Sequence, residues 1–150
     1  MKDVFDPAVT AELVGRIRAL RPDTRPEWGR MDVAQMLAHC CVGYEITYED
    51  VHPRPGPVKR FLLRTLVKPG VVGEKPYPRN APTAPVFRVR GERDFERERD
   101  RLIGYLERTR DLGGDAFEGR DYPNFGPLTR REWSTMFYKH LDHHLTQFGV

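Results

Sequence analysis

The C-terminal stretch KHLDHHLTQFGV places histidines at 140, 143 and 144. Imidazole is the commonest metal ligand among side chains and the one whose charge changes near neutral pH. On a helix His140 and His144 stand one turn apart on the same side and can converge on one cation, the device used by the paired histidines of H-E-x-x-H zinc helices. Helical periodicity sets Trp133, Met136, Phe137, His140, His144, Gln147 and Phe148 on one face, with His143 on its flank. Lys139, Asp142 and Thr146 are expected to point away. A lone histidine on an apolar face is ordinarily a hydrogen-bonded core residue. Two on one stripe require partners for four ring nitrogens if no cation joins them.

His39, in QMLAHCC, is the one candidate for a third ligand on another helix, because His52 falls in a proline-rich segment and is expected to face water. Gly43 lies one turn beyond His39; a mid-helix glycine costs about 1 kcal/mol relative to alanine, so it either keeps space open beside the ring or lets another helix approach. Ligating histidines usually donate their second ring N–H to a fixed acceptor. Asp32 and Gln35 are candidate partners for His39, and Gln147 for His144.

These side chains need rigid elements. Val9, Leu13, Val14, Ile17 and Leu20 recur at helical spacing behind Asp6 as N-cap and Pro7 at the first helical position. RPDTRPEWGRM reads as a loop, and Asp32 followed by Gln35 forms a capping-box pattern opening a helix to about Asp50. From Val51 to Arg90 lie eight of the thirteen prolines, interrupted by the helix-compatible VKRFLLRTLV. That is a long crossover with one short helix, either a lid or binding surface or a plain connection between distant helix ends, and VFRVR within it allows a short strand. RDFERERDRLIGYLERTRDLGG returns to helical periodicity, its charge run a solvated face, and stops at Gly113 and Gly114. Thr129 and Glu132 repeat the capping-box pattern before a last helix to about Gln147. The reading is a single all-α domain over residues 1–150, an antiparallel four-helix bundle.

A chain of 150 residues buries a continuous core without disulfides or a structural metal. Its only cysteines, Cys40 and Cys41, are adjacent on the second helix, point about 100° apart and read as small buried apolar residues on a stripe away from His39. A formal net charge of +3, with Lys and Arg scattered among nearly as many acids, argues against nucleic-acid binding. No apolar run reaches the length of a membrane span, and no secretory signal opens the chain, so a cytoplasmic address without a membrane partner is expected.

RPEWGRMDVAQMLAHC and YPNFGPLTRREWSTMFYKHLDHHLTQFGV resemble the two signatures of a bacterial family of unknown function within the DinB/YfiT-like superfamily, whose members are read as metalloenzymes. The likeness in layout covers nearly the whole chain, the crossover least, and departs at Tyr122, where the family pattern has a histidine before the proline. It implies an antiparallel four-helix bundle holding nickel or zinc through three histidines. Matched by position, these are His39, His140 and His144, with His143 a partner or pocket residue. It also implies a small-molecule substrate and, by analogy with relatives that use low-molecular-weight thiols, a thiol-dependent S-transferase. A hydrolase using metal-bound water and a non-catalytic small-molecule or metal-binding module remain open beside it. Homodimerisation, with the crossover as its place, is common among such relatives and stays open too.

Overall fold

A computed structural model describes all 150 residues. The protein is mostly helical, with one minimal two-strand ladder. Helix α1 (Pro7–Ala19) starts where Asp6 accepts the Ala8 N–H and Pro7 occupies the first turn, where no backbone donor is needed. Helix α2 (Val33–Tyr48) opens on a complete capping box: the Asp32 carboxylate accepts the Gln35 N–H, and the Gln35 amide oxygen accepts the Asp32 N–H. The crossover carries α3 (Pro57–Leu62), a π turn (Leu63–Val67) and α4 (Lys68–Val72). One helical run therefore spans 57–72, longer than expected and broken in the middle. Pro69 is the cause: it has no N–H to bond a preceding carbonyl, and the chain widens by one residue ahead of it.

VFRVR is not a strand. Pro85 pins φ and starts a single 3-10 turn, Pro85–Phe87, closed by Phe87 and Arg88 N–H groups bonding back to Ala84 and Pro85. Helix α5 (Phe95–Leu112) is capped by Asp94 and ends at Gly113, whose φ of +74° suits glycine. Not all of its charge run is solvated. Glu98 is buried and pairs with Arg101, which also holds Glu45 of α2. The antiparallel pair Asp121–Tyr122 and Gly126–Pro127, too short to show any sequence periodicity, precedes α6 (Arg130–Gln147). Thr129 and Glu132 cap α6 reciprocally. Past its end, Gly149 at φ +75° lets Val150 N–H return to the Leu145 carbonyl.

Helix α2 packs on α5 and α6, and α1 packs on the same two. The core between them holds Leu13, Ile17, Leu37, Leu102, Leu106 and Trp133, all fully buried. The Tyr44 ring stacks between Phe137, at 4.5 Å, and Tyr105, at 5.6 Å. Cys40 and Cys41 are buried and unpaired, as their spacing predicts. No helix is long and apolar enough to cross a membrane.

Lys139 departs from expectation. It is buried, 3% exposed, and its ammonium donates to the carbonyls of Gly70 at 2.7 Å, Gly73 at 2.5 Å and Lys75 at 3.2 Å. The C-terminal end of α4 and the chain just after it bring free carbonyls over this side of α6, where a cation completes them. Desolvation lowers the Lys139 pKa, and the three acceptors keep the charge in place. Replacing Lys139 by methionine should therefore lower stability by about 2–3 kcal/mol, the cost of stranding part-buried acceptors. A urea midpoint that falls at constant slope, with faster amide exchange over residues 70–75, is the expected result; an unmoved midpoint would show these carbonyls to be solvated without the lysine.

Candidate metal centre

Helices α2 and α6 bring His39, His140 and His144 together, with one ring nitrogen from each lying within 4.8 Å of the others. The ring centroids form a near-equilateral triangle with sides of 4.9, 4.6 and 4.9 Å. His39 and His144 are buried and His140 is partly exposed. No carboxylate or thiol joins the cluster.

Hydrogen bonds outside the triangle decide which nitrogens face into it. His39 Nδ1 lies 2.7 Å from the Phe87 carbonyl, which can only accept, so Nδ1 carries the proton and Nε2 a lone pair. His144 is fixed in the same tautomer by a longer relay. Gln147 Nε2 donates to the Trp28 carbonyl at 2.6 Å, turning the amide oxygen of Gln147 towards His144 Nδ1 at 2.8 Å. Both rings thus aim an unprotonated Nε2 inward. His140 Nε2 stands 2.9 Å from His39 Nε2, so without a cation it must donate its proton there, because two lone pairs at that distance repel.

An ion bound about 2.0–2.1 Å from each nitrogen in tetrahedral geometry separates its ligands by about 3.3 Å. The 2.9 Å pair and the 4.8 Å outer limit bracket that spacing. Three histidines, two of them with their second N–H groups held outwards, can bind a metal ion. Burial depresses the basicity of all three, aided for His140 and His144 by the neighbouring rings, and drives His144 down to about 3. At neutral pH they are therefore uncharged, which is the form that ligates.

The other candidate residues are distributed differently. Asp32 and Gln35 do not reach His39: they close the start of α2, and the Gln35 amide turns outwards to the Gly91 carbonyl at 3.1 Å. Phe87 takes the role foreseen for them because the crossover folds back over α2. His143 lies outside the triangle, its ring edge-on to Trp28 at 5.9 Å and Tyr77 at 5.7 Å. A Cβ at Gly43 would meet nothing within 4 Å, so this glycine marks open space and not close helix packing. His52 is half-buried with its Nε2 2.6 Å from a Glu45 carboxylate oxygen. Tyr122 is buried against Phe125 and Trp133.

Trp28, Gly29, Tyr77 and Phe87 escape a search for ligand residue types. Phe87 lies 5.5 Å from the His39 ring and 5.8 Å from that of His140. Gly29 has φ +89°, and a Cβ there would stand 2.5 Å from Gln147 Nε2, in the middle of the relay that orients His144. The glycine beside a tryptophan in RPEWGRM, read only as part of a loop, is the one sequence signal that could have marked this place.

The profile of a family described as a protein of unknown function, DUF1569, matches residues 8–149, and the chain belongs to that family. No curated protein and no solved structure matches it.

Burying three neutral imidazoles links the metal-free fold to pH. In the unfolded chain a histidine protonates at about 6.5, while in the fold these rings resist protonation, His144 until about 3. As pH falls below about 6.5 the unfolded chain gains protons that the fold refuses, and stability drops by up to about 1.4 kcal/mol per pH unit for each such ring. Urea midpoints of metal-free protein measured through this range should show that decline. A His39→Gln/His144→Gln double variant should flatten it, and an unchanged slope would assign the acid sensitivity to carboxylates instead.

Proposed function

We propose that this DUF1569 chain is a metal-dependent enzyme acting on a small molecule, with nickel or zinc held by His39, His140 and His144. The observation that carries this reading is the pair of outward hydrogen bonds, from His39 to Phe87 and from His144 to Gln147, that commit two Nε2 lone pairs to one point beside His140. The pairwise packing of α1, α2, α5 and α6 supports reading the fold as an antiparallel four-helix bundle of the DinB/YfiT-like kind.

A divalent ion held by His39, His140 and His144 as neutral imidazoles would keep its charge and would supply Lewis acidity to hold a thiol as its thiolate or to activate water. The protein's own residues orient and shield. Phe87 and Gln147 retain the outward ring protons, and the Phe87 ring covers one side of the His39–His140 edge. Neither cysteine supplies the thiol. Cys40 Sγ packs against the Met36 sulfur and Cys41 Sγ against the Glu98 carbonyl, and burial raises both pKa values, that of Cys41 to about 12. By analogy with DinB/YfiT-like relatives that use low-molecular-weight thiols, the favoured activity is S-transfer with an external thiol, and metal-dependent hydrolysis is the alternative.

Metal analysis of protein purified without a histidine tag should give one ion per chain. His39→Ala and His144→Ala should each remove most of it while His143→Ala retains it; full stoichiometry in the first two would refute the ligand set. Chelation should lower the melting temperature yet leave a cooperative transition, because the core is closed by apolar residues and not by the ion. Cobalt-substituted protein titrated with glutathione, mycothiol and bacillithiol should develop a sulfur-to-cobalt charge-transfer band with one of them. Turnover of ester or amide substrates without any thiol would favour the hydrolase, and absence of both would leave a non-catalytic binding module.

A further inference from the structure

The run 57–72 lies on the outside of the protein with its apolar side outward. Val58 is 75% exposed, Phe61 65%, Leu62 48% and Leu66 75%. Their spacing of i, i+3, i+4 and i+8 makes one helical stripe, the pattern that in a globular protein ordinarily faces the core. The orientation is held, not frayed. Leu63 packs against the core from the opposite side, Arg60 pairs with Asp121, and Lys68 pairs with Glu132 at 2.8 Å. Beyond the π turn, Lys139 anchors the end of the run through its three carbonyl bonds.

Charge identifies what such a stripe can meet. From Val51 to Gly73 the chain has no Asp or Glu, and it has Arg54, Lys59, Arg60, Arg64 and Lys68. Lys59 and Arg64 are exposed, make no ion pair and, on helical spacing, flank the stripe on either side. A second copy seated on the same stripe would set these cations against their own counterparts with no acid in the segment to neutralise them. An anionic lipid surface accepts both features: the apolar side chains enter the boundary between headgroups and acyl chains, and the flanking cations stay with the phosphates. We propose that the crossover helix docks this protein on anionic membranes through Val58, Phe61, Leu62 and Leu66, with Lys59 and Arg64 on the lipid phosphates. This is association with a surface and not a span, and it stands apart from the metal reading because no cluster histidine takes part.

The experiment is flotation of the full chain with vesicles of phosphatidylcholine and phosphatidylglycerol in equal parts, against vesicles of phosphatidylcholine alone. Binding to the mixed vesicles, weakened by salt and at least tenfold poorer on the neutral ones, is expected. Phe61→Ser/Leu66→Ser should abolish it, and Lys59→Gln/Arg64→Gln should weaken it by about fivefold for each cation removed. Both variants alter exposed side chains, so unchanged melting temperature and metal content serve as controls. Failure to float, or equal binding to neutral vesicles, would overturn the proposal. So would light scattering that shows a dimer which Phe61→Ser/Leu66→Ser converts to a monomer, because the stripe would then belong to a second copy.

Discussion

Three imidazoles can offer lone pairs to one spot only if their protons leave it. Each neutral ring carries one N–H and one lone pair, and burial penalises any protonation beyond that. The structure meets this constraint for two of the three rings by placing acceptors outside the triangle: the Phe87 carbonyl behind His39 and the Gln147 amide oxygen behind His144. Much of the nearby irregular chain follows from it. Gln147 can offer its oxygen only because its nitrogen is engaged by the Trp28 carbonyl, and that loop can approach only because Gly29 has no Cβ. The Glu27 N–H closes the contact on the Gln147 carbonyl at 2.8 Å. A loop between α1 and α2 thereby sets the proton position on a ring of α6.

The crossover answers to the same constraint from the other side. A long segment rich in proline cannot satisfy its backbone by regular structure and must find partners elsewhere. Here the partners lie on the helices that bear the histidines. Phe87 gives its carbonyl to His39, and Gly70, Gly73 and Lys75 give theirs to Lys139, the residue next to His140. Tyr77 lies between these points, its ring 4.3 Å from the Lys139 ammonium and edge-on to His143. A segment that is irregular in sequence thus becomes the wall of the cluster, while its helical run turns an apolar stripe outwards.

Much of the fold and the centre of the site were legible in the sequence because they rest on local rules. Capping boxes at Asp32 and Thr129, proline at the start of α1 and glycine at the end of α5 act within one turn, so α1, α2, α5 and α6 appear with boundaries within about two residues. The convergence of His140 and His144 is likewise a property of a single helix. His39 required a match to a family pattern, since no spacing relates residues on separate helices. Tertiary structure alone decided the rest: the acceptor for His39, the burial of Lys139, the pairing of His52 and the turn of the Gln35 amide towards the Gly91 carbonyl. Each depends on backbone carbonyls or charged groups brought from distant positions. A backbone carbonyl is the same at every residue, so the side-chain alphabet marks where a ligand can be but not which carbonyl will receive its proton.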